Sequence, residues 1–161
     1  MNDIPKKIHA SWPSKDILVD DHPMVQNGLA RVIELNPDWQ LCLHDDQQVD
    51  QYLQEQLDNQ DWLLLADSPF AARLDVWRLL KIYLEGGLYL DLDRFYNKPL
   101  DHILDTHTKC VLPTNGDWDF SQDFMLSAPG NPIYRHTLEL SLYRRRQGSS
   151  NTYWLGAQTY M

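Results

Sequence analysis

Apolar and polar positions change period twice within residues 68–93, SPFAARLDVWRLLKIYLEGGLYLDLD. Leu74, Trp77, Leu80 and Leu84 recur at spacings of three and four, which predicts an amphipathic helix with that stripe buried. Ser68 can cap it through its hydroxyl, and Pro69 suits the first helical position, where a missing N–H costs nothing. Gly86 and Gly87 stop the helix, because glycine accepts the left-handed backbone a helix end often needs. Beyond them the period becomes two. Leu88, Leu90 and Leu92 then face one side of a strand, and Tyr89, Asp91 and Asp93 the other. No lysine or arginine stands beside the two carboxylates until Arg94, so holding both charged calls for a cation between them.

The rest of the chain alternates strand and helix patterns. Ile4–Trp12 reads as a first strand running into Trp12-Pro13-Ser14. Residues 23–35, with Val25, Leu29, Val32, Ile33 and Leu35 at helical spacing, read as a helix ended by Asn36-Pro37. Trp39–Leu43 alternates as a strand closed by Asp45-Asp46. Val49–Leu57 predicts a helix, and Asp61–Leu65 either continues it or forms a separate turn. Cys110–Leu112 and Phe124–Leu126 read as further strands, and Ile133–Tyr143 as a last helix with Leu138 and Leu142 inward. This order predicts an α/β fold with a mostly parallel central sheet flanked by helices. Ligands of such sheets sit at the carboxyl ends of strands, where Asp91 and Asp93 would lie.

Composition narrows the function classes. A chain of 161 residues, 43% hydrophobic and 23% charged, suits one globular domain, 1–161. The formal charge of −9 argues against binding a nucleic-acid backbone. The basic run Arg144-Arg145-Arg146 reads as a solvated helix end. Cys42 and Cys110 make neither a disulfide framework nor a zinc site. No signal-length apolar run or membrane span is apparent, so the expectation is a soluble, cytoplasmic protein.

Acidic pairs at strand ends are common, and Asp91-x-Asp93 alone could be solvated surface. A hard cation such as Mg²⁺ or Mn²⁺ nevertheless needs few carboxylates when a diphosphate supplies other oxygens. Asp75 and Arg78 share one helix face and form either an intrahelical ion pair or a sugar- and phosphate-binding couple. Trp12 and Tyr89 read first as core or interface aromatics, though both could stack on a base or ribose. His9, on a short strand, fits a satisfied core histidine. No Ser/His/Asp set, P-loop or Gly-x-Gly-x-x-Gly occurs.

Taken in order, the segments Ile4–Trp12, Asn36-Pro37-Asp38-Trp39, Asp75-x-x-Arg78, Gly86-Gly87-x-Tyr89-x-Asp91-x-Asp93 and Phe124–Pro132 resemble glycosyltransferase family 32. That family holds mannosyltransferases and capsular-polysaccharide sugar transferases, and shares its core motif with the sugar-transferring domains of large clostridial toxins. The resemblance implies a GT-A fold, a UDP- or GDP-sugar donor, Mn²⁺ or Mg²⁺, and transfer with retention at the anomeric carbon. The acceptor would be a glycan or a lipid-linked saccharide. By position, Asp93 would bind the metal directly and Asp91 would bridge metal-side water, ribose and sugar. Asp75 and Arg78 would hold sugar hydroxyls and phosphates, Tyr89 would pack on the nucleoside, and Trp12 would stack on the base. His9 and Asp123 join the substrate-binding set, and Asp91, Asp93 and Arg78 form the catalytic one.

The chain is shorter than most members of that family, and the Thr-Gly-Pro segment expected near residues 151–161 is not intact. Either the acceptor part is minimal or the domain is cut from a longer protein. The alternative to an enzyme is a catalytically inactive sugar-nucleotide-binding or interaction module. A phosphohydrolase or nucleotidyltransferase would need further catalytic groups after the motif, and Phe95-Tyr96-Asn97 offers none.

Overall fold

A computed structural model describes residues 3–14, 17, 22–94, 96–115 and 119–148. Phe95 and residues 151–161, where the Thr-Gly-Pro segment was expected, lie outside them. In chain order the elements are β1 (Lys7–Ser11), α1 (Pro23–Leu35), β2 (Gln40–His44), α2 (Asp46–Gln56), α3 (Asn59–Ala66), α4 (Phe70–Glu85) and β3 (Gly87–Leu90). After one turn of 3₁₀ helix at Leu100–His102 come β4 (Cys110–Val111), β5 (Thr114–Asn115), β6 (Asp119–Phe120), β7 (Phe124–Ser127) and α5 (Pro132–Arg146).

The central sheet has the order β2-β1-β3-β7-β4, and β5 pairs with β6 as a separate hairpin. β1 runs parallel to β2 and β3, whereas β7 runs antiparallel to β3 and β4. The α/β architecture is as expected, but the sheet is mixed rather than mostly parallel. A parallel neighbour needs a crossover, usually helical, and no α-helix lies between β3 and β7 among the described residues.

Alternation along the strands builds two cores. Ile8, Ala10, Leu88, Leu90 and Leu126 pack with Val25, Leu29 and Val32 of α1 on one face. Tyr89 and Met125, from the same strands, pack on the other face with Val49 and Leu53 of α2, Val76–Ile82 of α4, and Tyr134, Leu138 and Leu142 of α5. α4 is enclosed on nearly all sides from Val76 to Ile82, so its apolar band is broader than one stripe. Leu84 of the expected stripe falls outside that band and is 42% exposed.

The start of α4 also differs from expectation. Pro69 is the N-cap residue and no side chain caps the helix; the Ser68 hydroxyl instead donates to Leu64 O at 3.0 Å, closing α3. α3 is a helix of its own, capped by the Asp58 carboxylate on Asp61 N at 2.9 Å. α2 starts at a capping box between Asp45 and Gln48. The basic run at the end of α5 is not simply solvated. Arg145 is buried and donates to Ala72 O at 3.2 Å, and Arg146 grips the buried Asp61 carboxylate through two nitrogens.

The α4–β3 turn depends on Gly86 and Gly87. Gly86 has φ 67 and ψ −165, a region open essentially only to glycine. A Cβ there would stand 2.6 Å from Pro129 Cδ and 2.9 Å from Ser127 O; one on Gly87 would stand 2.7 Å from Lys7 O. Gly130 has a comparable φ of 76 but open space around it. Gly86→Ala is expected to cost about 3 kcal/mol or more, from backbone strain plus overlap, and Gly130→Ala roughly 1 kcal/mol from strain alone. Urea unfolding of both variants checks this; equal losses would remove the close approach to Pro129 as a cause.

Candidate active site

The connection β1-α1-β2 leads to one side of β1, and β2-α2-α3-α4-β3 returns to its other side. The chain order therefore reverses between β1 and β3, and a crevice opens at their carboxyl ends, the usual ligand position in such sheets. A cavity of about 410 Å³ occupies it. Ser11, Trp12 and Pro13 leave β1 along one wall, and Asp91, Leu92 and Asp93 leave β3 along another. Arg78 and Leu74 of α4, Asp46 of α2 and Met24 of α1 contribute further walls. α1 can approach the turn after β3 because Gly28 has no side chain; a Cβ there would lie 3.1 Å from Leu92 O.

Arg78 is the only arginine or lysine among the described residues lining this cavity. Its residue is 9% exposed, and partners surround its guanidinium. Nη1 donates to Gln122 O at 3.1 Å and lies 3.5 Å from Asp91 Oδ1. Nη2 lies 3.0 Å from Asp75 Oδ1, and the group stacks 4.8 Å over the Tyr89 ring centroid. The Tyr89 hydroxyl donates to Asp91 Oδ1. Burial and the neighbouring Asp91 push the phenol well above its ordinary pKa, so it stays a donor. Burial also raises the Asp75 carboxyl, against the pull of Arg78 and Arg145, while nearby Asp91 raises it further.

The structure thus brings Trp12, Arg78, Tyr89, Asp91 and Asp93 to one cavity. Trp12 stands edge-on to His22, with ring centroids 5.3 Å apart. Tyr89 is 1% exposed, and its ring and hydroxyl engage Arg78 and Asp91, so positioning those two groups is its visible work. Asp75 stands behind Arg78. Asp123 opens onto a neighbouring cavity, where its carboxylate lies 3.0 Å from Arg94 Nε and accepts from the Ser121 hydroxyl. Both expected metal ligands lie just past β3, which ends at Leu90. Sequence reasoning placed no role on Asp46. Its carboxyl is raised by burial and by Asp50, and its buried Oδ1 has no hydrogen-bond partner among the described residues. Its position right after β2, in Asp45-Asp46, was the available signal.

The donor set suits a hard divalent cation that keeps waters and takes substrate oxygens. The Tyr89 and Arg78 contacts both fall on Asp91 Oδ1, and the Asp93 side chain is 60% exposed with Arg94 Nε no nearer than 4.0 Å. No cluster of three potential ligands occurs among the described residues, so the protein would supply one or two carboxylates and a diphosphate the rest.

Residues 23–109 match the family model described as "Glycosyltransferase sugar-binding region containing DXD motif". The chain belongs to that family. Its DXD motif is Asp91-Leu92-Asp93, as the likeness to glycosyltransferase family 32 implied. Among curated relatives, inositol phosphoceramide mannosyltransferase 1 of Schizosaccharomyces pombe is 27% identical over 150 residues, covering 91% of this chain and 46% of that protein. Mannosyl phosphorylinositol ceramide synthase SUR1 of Saccharomyces cerevisiae is 27% identical over 139 residues, covering 84% and 34%. The chain therefore spans less than half the length of these relatives. The solved PaToxG glycosyltransferase superposes with a TM-score of 0.67 at 19% identity, over 98% of this chain and 66% of that one. This likeness shows the GT-A fold.

His9, like Asp75 and Asp123, does not line the cavity between β1 and β3. It is 1% exposed on the α4 face of β1, and its Nε2 bonds to Gly86 O at 3.1 Å, beneath the α4–β3 turn. Since a carbonyl only accepts, Nε2 carries the proton, and the buried Nδ1 has no partner among the described residues. Burial, with Lys81 nearby, lowers its pKa from 6.5 to about 4. The folded protein therefore resists protonating a ring that the unfolded chain protonates readily. Stability from this group is full above about pH 6.5 and falls as pH drops toward 4, by roughly 3 kcal/mol in total. An NMR titration of the His9 ring should give a midpoint near 4; a midpoint above 6 would contradict this environment.

Proposed function

We propose that this domain transfers a sugar, with retention, from a nucleotide-diphospho-sugar to a lipid-linked or glycan acceptor, using Mn²⁺ or Mg²⁺. The observation that carries the reading is the convergence of Asp91, Asp93 and Arg78 on the cavity between β1 and β3. The names of the relatives favour mannose as the sugar and an inositol-phosphate sphingolipid as the acceptor. When bound, the cation would neutralise charge on the departing diphosphate. Asp93 would hold it directly, and Asp91, oriented by the Tyr89 hydroxyl, would complete the protein's share. Arg78 would meet the phosphates with a preorganised positive charge. Asp75, kept beside Arg78, would take sugar hydroxyls, and Trp12 would stack on the base.

The metal role is tested by calorimetry of UDP and GDP with Mn²⁺ and with EDTA. Binding is expected only with the ion; equal affinity in both conditions would end the metal role. Asp93→Asn should abolish Mn²⁺-dependent binding and transfer while leaving the apo melting temperature unchanged or higher, since it removes a like charge beside Asp91. A lower melting temperature would make Asp93 structural. Nucleotide binding without donor hydrolysis or transfer would instead favour the inactive binding module.

Asp75 separates a donor site from a plain ion pair. Asp75→Ala should weaken an intact sugar nucleotide more than tenfold, about 1.4 kcal/mol, while changing the free nucleotide diphosphate far less. Parallel losses for the two ligands would take Asp75 away from the sugar.

A further inference from the structure

A second cavity, of about 460 Å³, opens on the far side of the turn that carries Asp91 and Asp93. Ile103, Val111, Pro113 and Phe124 give it apolar walls, and Arg94 and Asp123 line it with charge. An adjoining cavity of about 310 Å³ shares Tyr96, Ile103 and Phe124 with it, so the apolar surface runs on as a groove. Hydrogen bonds tie the groove to the turn that carries Asp91 and Asp93. Asp91 N donates to Asp123 O at 2.9 Å, and the Tyr96 hydroxyl sits within 3.4 Å of Asp91 O and 3.2 Å of Asp123 O. Arg94 links the two sides, with Nε 3.0 Å from Asp123 Oδ2 and 4.0 Å from Asp93 Oδ1.

We infer that this groove binds the acceptor, with an alkyl body along Ile103, Val111 and Phe124 and the hydroxyl-bearing head at Asp123 and Arg94. The inference rests on the sugar-transfer reading, since only a two-substrate reaction needs a second site against the Asp91–Asp93 turn. Its own support is the chemistry of the walls. A bare glycan presents hydroxyls all round and would leave them unmatched against Ile103, Val111, Pro113 and Phe124. Apolar walls with a few convergent polar groups instead fit an amphiphile. The Asp123 carboxylate, steadied by Ser121 and Arg94, offers an acceptor hydroxyl a hydrogen-bond partner next to the donor cavity.

The test uses methyl and hexyl mannoside as probes, titrated by calorimetry in the presence of Mn²⁺. The hexyl glycoside is expected to bind at least tenfold tighter, since each buried methylene contributes up to roughly fourfold. Ile103→Asp, at a surface position outside the donor cavity, should abolish that preference and leave Mn²⁺-dependent UDP or GDP affinity within about twofold of the parent value. Equal binding of the two glycosides, or an intact hexyl preference in Ile103→Asp, would overturn the inference. Loss of all Mn²⁺-dependent nucleotide binding in the parent protein would overturn the sugar-transfer reading instead, and the hexyl preference reads out separately from it.

Discussion

A buried guanidinium has to be surrounded by acceptors, and the site is built around that requirement at Arg78. Leaving such a cation unpaired would cost several kcal/mol, so the groups that satisfy it are tied in place with it. They come from three parts of the chain: Asp75 one helical turn away, Gln122 O just before β7, and Asp91 just after β3. Tyr89 closes the arrangement by lying beneath the guanidinium and donating to Asp91. One charge thus aligns α4, β3 and β7 at the carboxyl end of the sheet. It also leaves Asp91 with one oxygen oriented before any ligand arrives, the condition under which a fixed carboxylate is most useful to a cation.

The placement of that centre depends on the turn at the other end of β3. Gly86 and Gly87 let α4 pass into β3 while Pro129 and Lys7 press against the backbone. His9 accepts the geometry by donating to Gly86 O from the neighbouring strand. A histidine held this way adds to stability only while neutral, so the same buried contact that fixes the turn makes it sensitive to acid. The His9 position therefore belongs to the support of the site rather than to its wall.

Much of this was legible in residues 68–93, because the helix–glycine–strand pattern is local and strong. The period of two placed Leu88 and Leu90 on one face and Tyr89 on the other, and the packing follows it. What depended on distant neighbours was not legible. Strand direction is set by connections, so β7 and β4 read equally well as parallel strands. Leu84 continued the helical stripe, yet the fully buried part of α4 ends at Ile82 and Leu84 is exposed. Arg145 and Arg146 looked solvated from their own helix, because the partners that engage them, Ala72 O and Asp61, lie some 70 to 85 positions earlier. Asp123 sits close to Asp91 through the β3–β7 pairing, but its carboxylate faces the other side of the turn.

Charge explains why the pieces favour one kind of ligand. The donor cavity has Asp46, Asp91 and Asp93 on its walls against Arg78 alone, in a chain of net charge −9. A diphosphate brought into that setting without further positive charge would meet net repulsion, and Arg78 is already engaged by Asp75 and Asp91. Under the proposed function, a divalent ion at Asp93 would reverse the sign locally and let Arg78 act on the phosphates as a second positive group. The acidic walls that argue against a lone anion are therefore consistent with an anion that arrives with its cation. The exposed Asp93 would be the carboxylate available for it.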